Sequence, residues 1–353
     1  MSEWGPIGDA DTIARALAPA RRVVVCTHTK PDGDAVGSTL AVARALMRGD
    51  PGRVVEVWYS GTLPDWMGEI AGSTAYRVAE GGATPGLVGG SEADAIVITD
   101  TGAWSQLEAL QGYLRARTDR TLVIDHHLHG DADLASARWV DPRSGSASEL
   151  VAEVCARLLG VRGATALPRE IATAVYLGLA TDTGWFRFSN VRAATLRLAA
   201  DLIEGGVDHT GLYRLVEQRD KAGRIRLMGR ALAGMELFDD GRVALMTLRL
   251  SDFEACRAGP GDSSGFADRA LSIESVLVAC VLTEAVEGGE GGSARTTLSK
   301  VSMRSKDGPG AVDVNEAARR VGGGGHARAA GARLRVPMEE ARAAVLGALG
   351  VKV

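Results

Sequence analysis

Four short islands of carboxylate and imidazole hold the residues of this 353-residue chain whose types and spacing could do chemistry. The first is His28-x-x-x-Asp32-x-Asp34 in THTKPDGDAVGS, and the second is Asp100 in AIVITDTG. The third is Asp125-His126-His127 in TLVIDHH, and the fourth is Asp182 in LGLATDTGWFRFSN. Singly, each has an ordinary explanation: an aspartate after an apolar run commonly forms a turn or caps a helix, and a lone histidine is more often buried or capping than a ligand. As a set they say more. The chain has six histidines, and three of them (His28, His126, His127) come directly after apolar, strand-like runs. If the islands converge, their carboxylates repel strongly in a low-dielectric cleft, and a cation is the usual remedy. Oxygen and imidazole donors without thiolate suit Mn²⁺, with Mg²⁺, Fe²⁺ or Co²⁺ as substitutes, and speak against a structural zinc site. The donors outnumber one ion's needs. A bridging carboxylate with three or so further ligands per ion points to two metals ~3.5–4 Å apart, the arrangement used for in-line displacement at phosphorus.

Such convergence needs a sheet. Arg22–Thr27, Val54–Tyr59, Ala95–Thr99 and Thr121–Ile124 read as strands, and Gly37–Arg48 as an Ala/Leu-rich helix with Ser38 near its start. Strands alternating with helices imply crossovers and a mostly parallel sheet covered on both faces. Ligands bind such sheets at the carboxyl ends of their strands, where the islands fall. Gly33 and Gly37 permit tight turning and close packing. Ser146-x-x-Glu149 reads as a helix capping box. The run Trp185-Phe186-Arg187-Phe188 supplies aromatics for core packing, with Arg187 a weaker candidate for substrate, and His129 is expected to be solvated.

Past Asn190 the texture changes. Val191–Glu204 and Leu212–Leu237 read as helical, broken by Gly205-Gly206; strand-like runs return at Arg242–Leu250, Val276–Thr283 and Thr296–Met303. EGGEGGSA (Glu287–Ala294) reads as a hairpin turn between the last two, and Met338–Leu349 as a closing helix. The expected fold class is therefore α/β. A mostly parallel sheet with flanking helices (1–190) is joined by a helical linker (191–220) to a smaller α+β domain (221–353).

Composition sets outer bounds. Forty Lys and Arg against 44 Asp and Glu give a net charge of −4, and 46% hydrophobic with 24% charged residues is the balance of an ordinary globular protein. The longest apolar runs fall far short of the ~18 residues of a membrane helix. The N-terminus has neither the basic nor the apolar region of a secretory signal. Cys26, Cys155, Cys256 and Cys280 stand far apart with no Cys-x-x-Cys pair, as expected of buried thiols in a reducing, cytoplasmic compartment.

A second constellation lies near the C-terminus, in VGGGGHARAAG (Val321–Gly331). Four glycines in a row can be a plain loop, yet their N–H groups can also line an anion-binding concavity, to which His326 adds a donor. Upstream, KVSMRS alternates, so Lys300, Ser302 and Arg304 share one strand face while Val301 and Met303 share the other. From 294 to 335 there are nine Lys/Arg against three Asp/Glu. That excess suits a few phosphates and not a long polymer.

The ordered set His-x-x-x-Asp-x-Asp, Asp, Asp-His-His, Asp resembles the DHH phosphoesterases over roughly 22–190. The glycine–His signature resembles the phosphate-binding loop of the DHH-associated domain of the first type. The resemblance implies a first manganese held by His28 and Asp32, a second by Asp34, His126 and Asp182, and Asp100 bridging both. It implies that Asp125 orients imidazole, that His127 faces the reacting phosphate, and that a water ionised between two Mn²⁺ ions (Mg²⁺ or Co²⁺ substituting) is the nucleophile. In the C-terminal domain it implies nucleotide contacts by Ser302, Arg304, Gly323, Gly324, Gly325 and His326. Its oligoribonuclease/pAp-phosphatase group fits the domain set. The expected substrates are very short oligoribonucleotides and 3′-phosphoadenosine 5′-phosphate (pAp), with cyclic-di-AMP or pApA as the alternative, no membrane partner, and a homodimer. A RecJ-type exonuclease would carry further domains, a family II pyrophosphatase a different second domain, and a silent nucleotide-binding module would have lost a ligand.

Overall fold

The computed structural model describes residues 4–79, 92–287 and 296–351. The chain divides into two compact units, Met1–Gln218 and Arg219–Val353.

In the first unit, α1 (Ala10–Leu17) precedes β1 (Arg22–Cys26), α2 (Gly33–Gly49), β2 (Val54–Ser60), α3 (Met67–Ala71), β3 (Tyr76–Ala79) and β4 (Ala95–Thr99). Then come α4 (Gln111–Leu114), β5 (Thr121–Asp125), β6 (Ala137–Val140), α5 (Ala147–Leu159), α6 (Arg169–Asp182), α7 (Ala193–Glu204) and α8 (His209–Glu217). The strands form one six-stranded sheet in the order β3-β2-β1-β4-β5-β6, every pair parallel. Alternation along β1 feeds both faces: Val23 and Val25 pack under α1, α2, α5 and α6, whereas Val24 and Cys26 pack with Trp104, Leu107 and Leu110. Each such fully buried side chain contributes about 1.5–3 kcal/mol. The strand order reverses direction at β1, whose neighbours are β2 and β4. This switch point opens a crevice at the strand ends, and His28 and Asp100 follow its two strands.

Helix α2 is apolar nearly all round and buried on nearly every side, as a core helix must be. It crosses α6 at contact distance because both helices present glycine. A Cβ on Gly37 would lie 2.4 Å from the Ala174 carbonyl oxygen, and one on Gly178 would lie 2.4 Å from Asp34 Oδ1. Two readings change here. The helix begins at Gly33, capped by Asp32, so Ser38 lies inside it, its hydroxyl donating to the Asp34 carbonyl and to Thr99 Oγ1. Asp182 follows no strand; it is the last residue of α6.

The second unit contains α9 (Ala222–Ala233), β7 (Glu236–Phe238), β8 (Val243–Leu248), α10 (Leu250–Cys256), α11 (Phe266–Ala270), β9 (Val278–Glu287) and β10 (Thr296–Ser305). It ends with α12 (Val314–Arg320), β11 (Gly324–His326), β12 (Ala329–Leu334) and α13 (Met338–Ala348). A six-stranded sheet runs β11-β12-β10-β9-β8-β7, antiparallel except between β8 and β9. One face (Val301, Met303, Ala332) packs on α12 and α13, and the other (Ala244, Met246, Ala279, Val281) packs on α9, α10 and α11. The long helix read at Leu212–Leu237 is two helices, interrupted between Gln218 and Lys221. Most of the EGGEGGSA turn lies outside the described residues, while the strands flanking it pair antiparallel.

Candidate metal centre

Each acidic or imidazole residue of the first unit is aimed by a specific local device. Leaving β1, His28 has Nδ1 3.0 Å from the Thr29 carbonyl oxygen. Leaving β5, His126 has Nδ1 3.2 Å from the Ser144 carbonyl oxygen. A carbonyl only accepts, so in both rings Nδ1 carries a proton, and in the neutral form Nε2 is left with the lone pair facing the site, the tautomer a metal ligand needs. Asp34, in the first turn of α2, is buried and accepts N–H bonds from Ala147 (2.6 Å) and Ser148 (2.9 Å) at the start of α5. The positive end of that helix favours a carboxylate there. Ser146 caps α5 through the Glu149 N–H, but the Glu149 carboxylate accepts from the Gly145 N–H and not from that of Ser146, so only half of the expected capping box forms. Asp100 directly follows β4 with φ +61°, a left-handed conformation that aspartate tolerates better than most residues. Its N–H is tied to the Ile124 carbonyl of β5.

These devices converge on Asp100. Its Oδ2 lies 3.4 Å from His28 Nε2, and its Oδ1 lies 3.4 Å from His126 Nε2. His28 Nε2 is also 3.8 Å from Asp32, and His126 Nε2 is 3.5 Å from Asp182 and 4.0 Å from Asp34. Two groups of three donors result, His28–Asp32–Asp100 and Asp34–His126–Asp182, the ligand atoms of each within 4.8 Å of one another. A third group of the same kind, Asp100–His126–His127, overlaps them.

The protonation pattern reports an unbalanced negative charge. Burial alone would lower the pKa of His28, but its contacts with Asp100 and Asp32 raise it to about 11. Burial likewise opposes the charged form of His126, yet Asp100 and Asp34 raise it to about 10. Burial pushes the Asp100 carboxyl up, and the two imidazoles overcome this and hold it near 2. Asp34 is raised well above the carboxylate range, by burial and then by the charges of Asp100 and Asp182. Burial also raises Asp182, to about 6. A buried cluster of this kind is neutralised either by protons or by a cation. Four carboxylates and two neutral imidazoles balance two divalent cations, so the donor set fits a divalent metal pair.

Asp125 is fully buried at the end of β5. Its Oδ1 accepts from the backbone N–H groups of His126 and His127 and from His127 Nδ1 at 2.7 Å, while Oδ2 has no hydrogen-bond partner. The hydrogen bond to Asp125 raises the pKa of His127. With Nδ1 so held, the half-exposed ring of His127 has Nε2 available. The structure leaves His129 exposed and outside these groups, and Arg187 exposed and bonded to the Gly184 carbonyl. Trp185 and Phe186 pack against the core, both at positive φ.

One residue at the site escaped the sequence reading. Trp4 Nε1 donates to the His127 carbonyl oxygen at 3.1 Å. Its ring rests on Gly102 and Gly130, where an added Cβ would fall 1.9 and 2.6 Å from ring atoms. The Trp4 segment thus ties down the two loops that follow Asp100 and His127, and a β-bridge between Ile7 and Arg138 anchors it. The only signal was two glycines shortly after chemical residues.

In the second unit Lys300, Ser302 and Arg304 alternate with buried Val301 and Met303 on β10, as the pattern requires. Arg304 lies 3.9 Å from Asp268. The glycine run is less loop-like than its composition implies. The Gly322 and Gly323 N–H groups close the end of α12 on Arg319 and Ala318, and Gly324, Gly325 and His326 form the exposed edge strand β11. A Cβ on Gly323 would lie 2.1 Å from the Gly331 carbonyl oxygen, so close backbone approach explains that glycine.

Residues 22–179 match the DHH family, N-terminal domain, and residues 253–349 match the DHHA1 domain. A bifunctional oligoribonuclease and PAP phosphatase NrnA of Thermus thermophilus is 30% identical over 330 residues, which span 93% of this chain and 89% of that protein. The chain belongs to the DHH family. As a DHH-family member it is a hydrolase of phosphoester bonds. The cyclic-di-AMP phosphodiesterase PdeA of Listeria monocytogenes is 24% identical over 96% of this chain but only 49% of its own length. An exopolyphosphatase-related protein of Bacteroides fragilis superposes with a TM-score of 0.82 at 28% identity, covering 97% of this chain and 95% of its own. RecJ of Thermus thermophilus, solved with Mn²⁺, shares the fold at a TM-score of 0.52 and 16% identity, over 97% of this chain and 54% of its own. Among the described residues no helix is long and apolar enough to cross a membrane.

Proposed function

We propose that this DHH enzyme hydrolyses very short oligoribonucleotides to mononucleotides and pAp to AMP, using two divalent ions, Mn²⁺ by preference. The observation that carries this reading is the division of Asp100 between two donor groups, one carboxylate oxygen facing each. His28 and Asp32 would hold one ion and Asp34, His126 and Asp182 the other, with Asp100 serving both. Bound there, such a pair supplies charge neutralisation at the phosphoryl oxygens and lowers the pKa of the attacking water. The protein's own groups do the rest. Asp125 fixes the His127 ring through Nδ1, leaving Nε2 to donate a proton or a hydrogen bond to a phosphate oxygen. In the second unit Ser302, Arg304 and His326 would grip the nucleotide's remaining phosphate, a task for which a guanidinium is suited.

The substrate assignment is supported by a relative of nearly equal length whose name carries both activities. Cyclic-di-AMP or pApA is the second reading, favoured by the partial match to a cyclic-di-AMP phosphodiesterase. A side-by-side panel of pAp, diribonucleotides, longer RNA and cyclic-di-AMP with Mn²⁺ tests both. Turnover of pAp and diribonucleotides ahead of the cyclic dinucleotide is expected. A clear preference for cyclic-di-AMP would transfer the assignment to the second reading.

A further inference from the structure

The second unit contains a cavity of about 620 Å³ on the β10–β12 sheet face, lined by Lys300, Arg333, Ser302, Thr283, Ser263 and Ser264 among others. No carboxylate is among its lining residues; the nearby Asp262 accepts from the Gly259 N–H. Lys300 and Arg333 occupy directly opposed positions of the antiparallel β10–β12 pair. Directly opposed side chains stand on one face with Cβ atoms about 4.5–5.5 Å apart, and like charges placed so repel. Neither cation has an ion-pair or side-chain hydrogen-bond partner among the described residues, whereas Arg304 on the same strand face has Asp268. Two uncompensated cations forced together in a concave, hydroxyl-lined wall are relieved by an anion.

Along β10, Lys300 and Arg304 are four residues apart on one face, a separation of about 13 Å. One phosphate cannot bridge that, and the two phosphates of pAp are separated by a single sugar. We propose that Lys300 and Arg333 form a second phosphate subsite. It takes a further phosphodiester of an oligonucleotide whose nearer phosphate is held at Arg304, and so favours chains of several nucleotides over pAp. This rests on the phosphoesterase reading above and names the substrate length that reading leaves open.

The test uses the full-length, Mn²⁺-loaded enzyme with a pentaribonucleotide and with pAp, in Lys300→Gln, Arg333→Gln and the double variant. Loss of both cations is expected to raise KM for the pentaribonucleotide about 10- to 30-fold with kcat within twofold, and to leave KM for pAp within twofold. The salt dependence of pentaribonucleotide KM should flatten by about 0.7 in log–log slope, since the subsite neutralises one phosphate and each neutralised phosphate of a single strand is worth about 0.7. Lys300→Arg should retain wild-type KM, which separates charge from folding. Equal rises in KM for both substrates, or none for either, would overturn the second subsite while leaving the proposed function standing. A wild-type enzyme that hydrolyses neither substrate would remove both.

Discussion

Replacing Asp100 by asparagine removes one charge and one acceptor oxygen while keeping the shape of the side chain. Asparagine is the right probe because Asp100 sits at φ +61°. Asparagine tolerates that region about as well as aspartate, whereas alanine adds about 1–2 kcal/mol of backbone strain that would blur the result. Each carboxylate oxygen faces one imidazole Nε2 at 3.4 Å, and the oxygens would serve different ions. An amide can offer only its single oxygen to one side and turns an N–H donor toward the other. Losing one charged contact on each side, at about 1.5–3 kcal/mol apiece, amounts to about 3–6 kcal/mol. At 1.4 kcal/mol per decade that is a loss of about 10²–10⁴ in kcat/KM. Metal content after dialysis against sub-stoichiometric chelator, measured by plasma mass spectrometry, should fall from two ions per chain to one or fewer. The rate on pAp should fall in parallel, with unchanged circular dichroism. A variant that keeps two ions and works within threefold of wild type would refute the sharing of Asp100.

Other substitutions separate the parts of the site. Asp125→Asn should leave metal content intact but cost about 10- to 100-fold in kcat, because His127 loses the partner that fixes its ring; metal loss would reassign Asp125 to the ion shell. Trp4→Ala should lower kcat about 10-fold or more and Trp4→Phe less, since the phenyl ring still covers Gly102 and Gly130 without the N–H bond; equal rates in both variants would deny Trp4 a positioning role. Gly178→Ala should destabilise the protein by about 1–3 kcal/mol and weaken metal retention, because the new methyl would press on Asp34 and Ser148; thermal melts with and without Mn²⁺ check this. Binding of Mn²⁺ to metal-free protein should release protons and tighten as pH rises, because His28 and His126 hold theirs to about 11 and about 10; calorimetry in buffers of different ionisation enthalpy would show the release, and a pH-independent affinity would count against imidazole ligation.

The central strands and the helices α2 and α13 were legible because their patterns are long and their apolar residues unambiguous. The edge strands β3 and β6 were not, since each has four residues and polar or half-exposed alternates, which leave little periodicity to read. The four islands were recognisable as a set from residue type and order, but two supports were invisible. LGLATDTG ends in an aspartate after an apolar run just as AIVITDTG does, so the sequence placed Asp182 after a strand; a short apolar run does not distinguish strand from buried helix, and only the α2–α6 packing shows it to be helical. The amides that hold Asp34 belong to Ala147 and Ser148, and backbone donors leave no mark in side-chain identity.

Those two hidden supports explain why the site needs both sheet and helices. Parallel strands alone deliver His28, Asp100 and His126 to one rim, which supplies one imidazole to each donor group and the carboxylate between the two. The second group requires Asp34 and Asp182, which lie on α2 and α6, and a pair of helices normally packs with axes 8–10 Å apart. Glycine at positions 37 and 178 removes the side chains that would hold the helices off, so that a methyl on Gly178 would touch Asp34 itself. The start of α5 then fits against Asp34 and supplies the N–H groups that keep a buried carboxylate in place against the charges of Asp100 and Asp182. A structure in which these helices separated by the width of one methyl group would keep its sheet and its fold. It would lose the second set of donors, and with it the capacity to hold two cations at once.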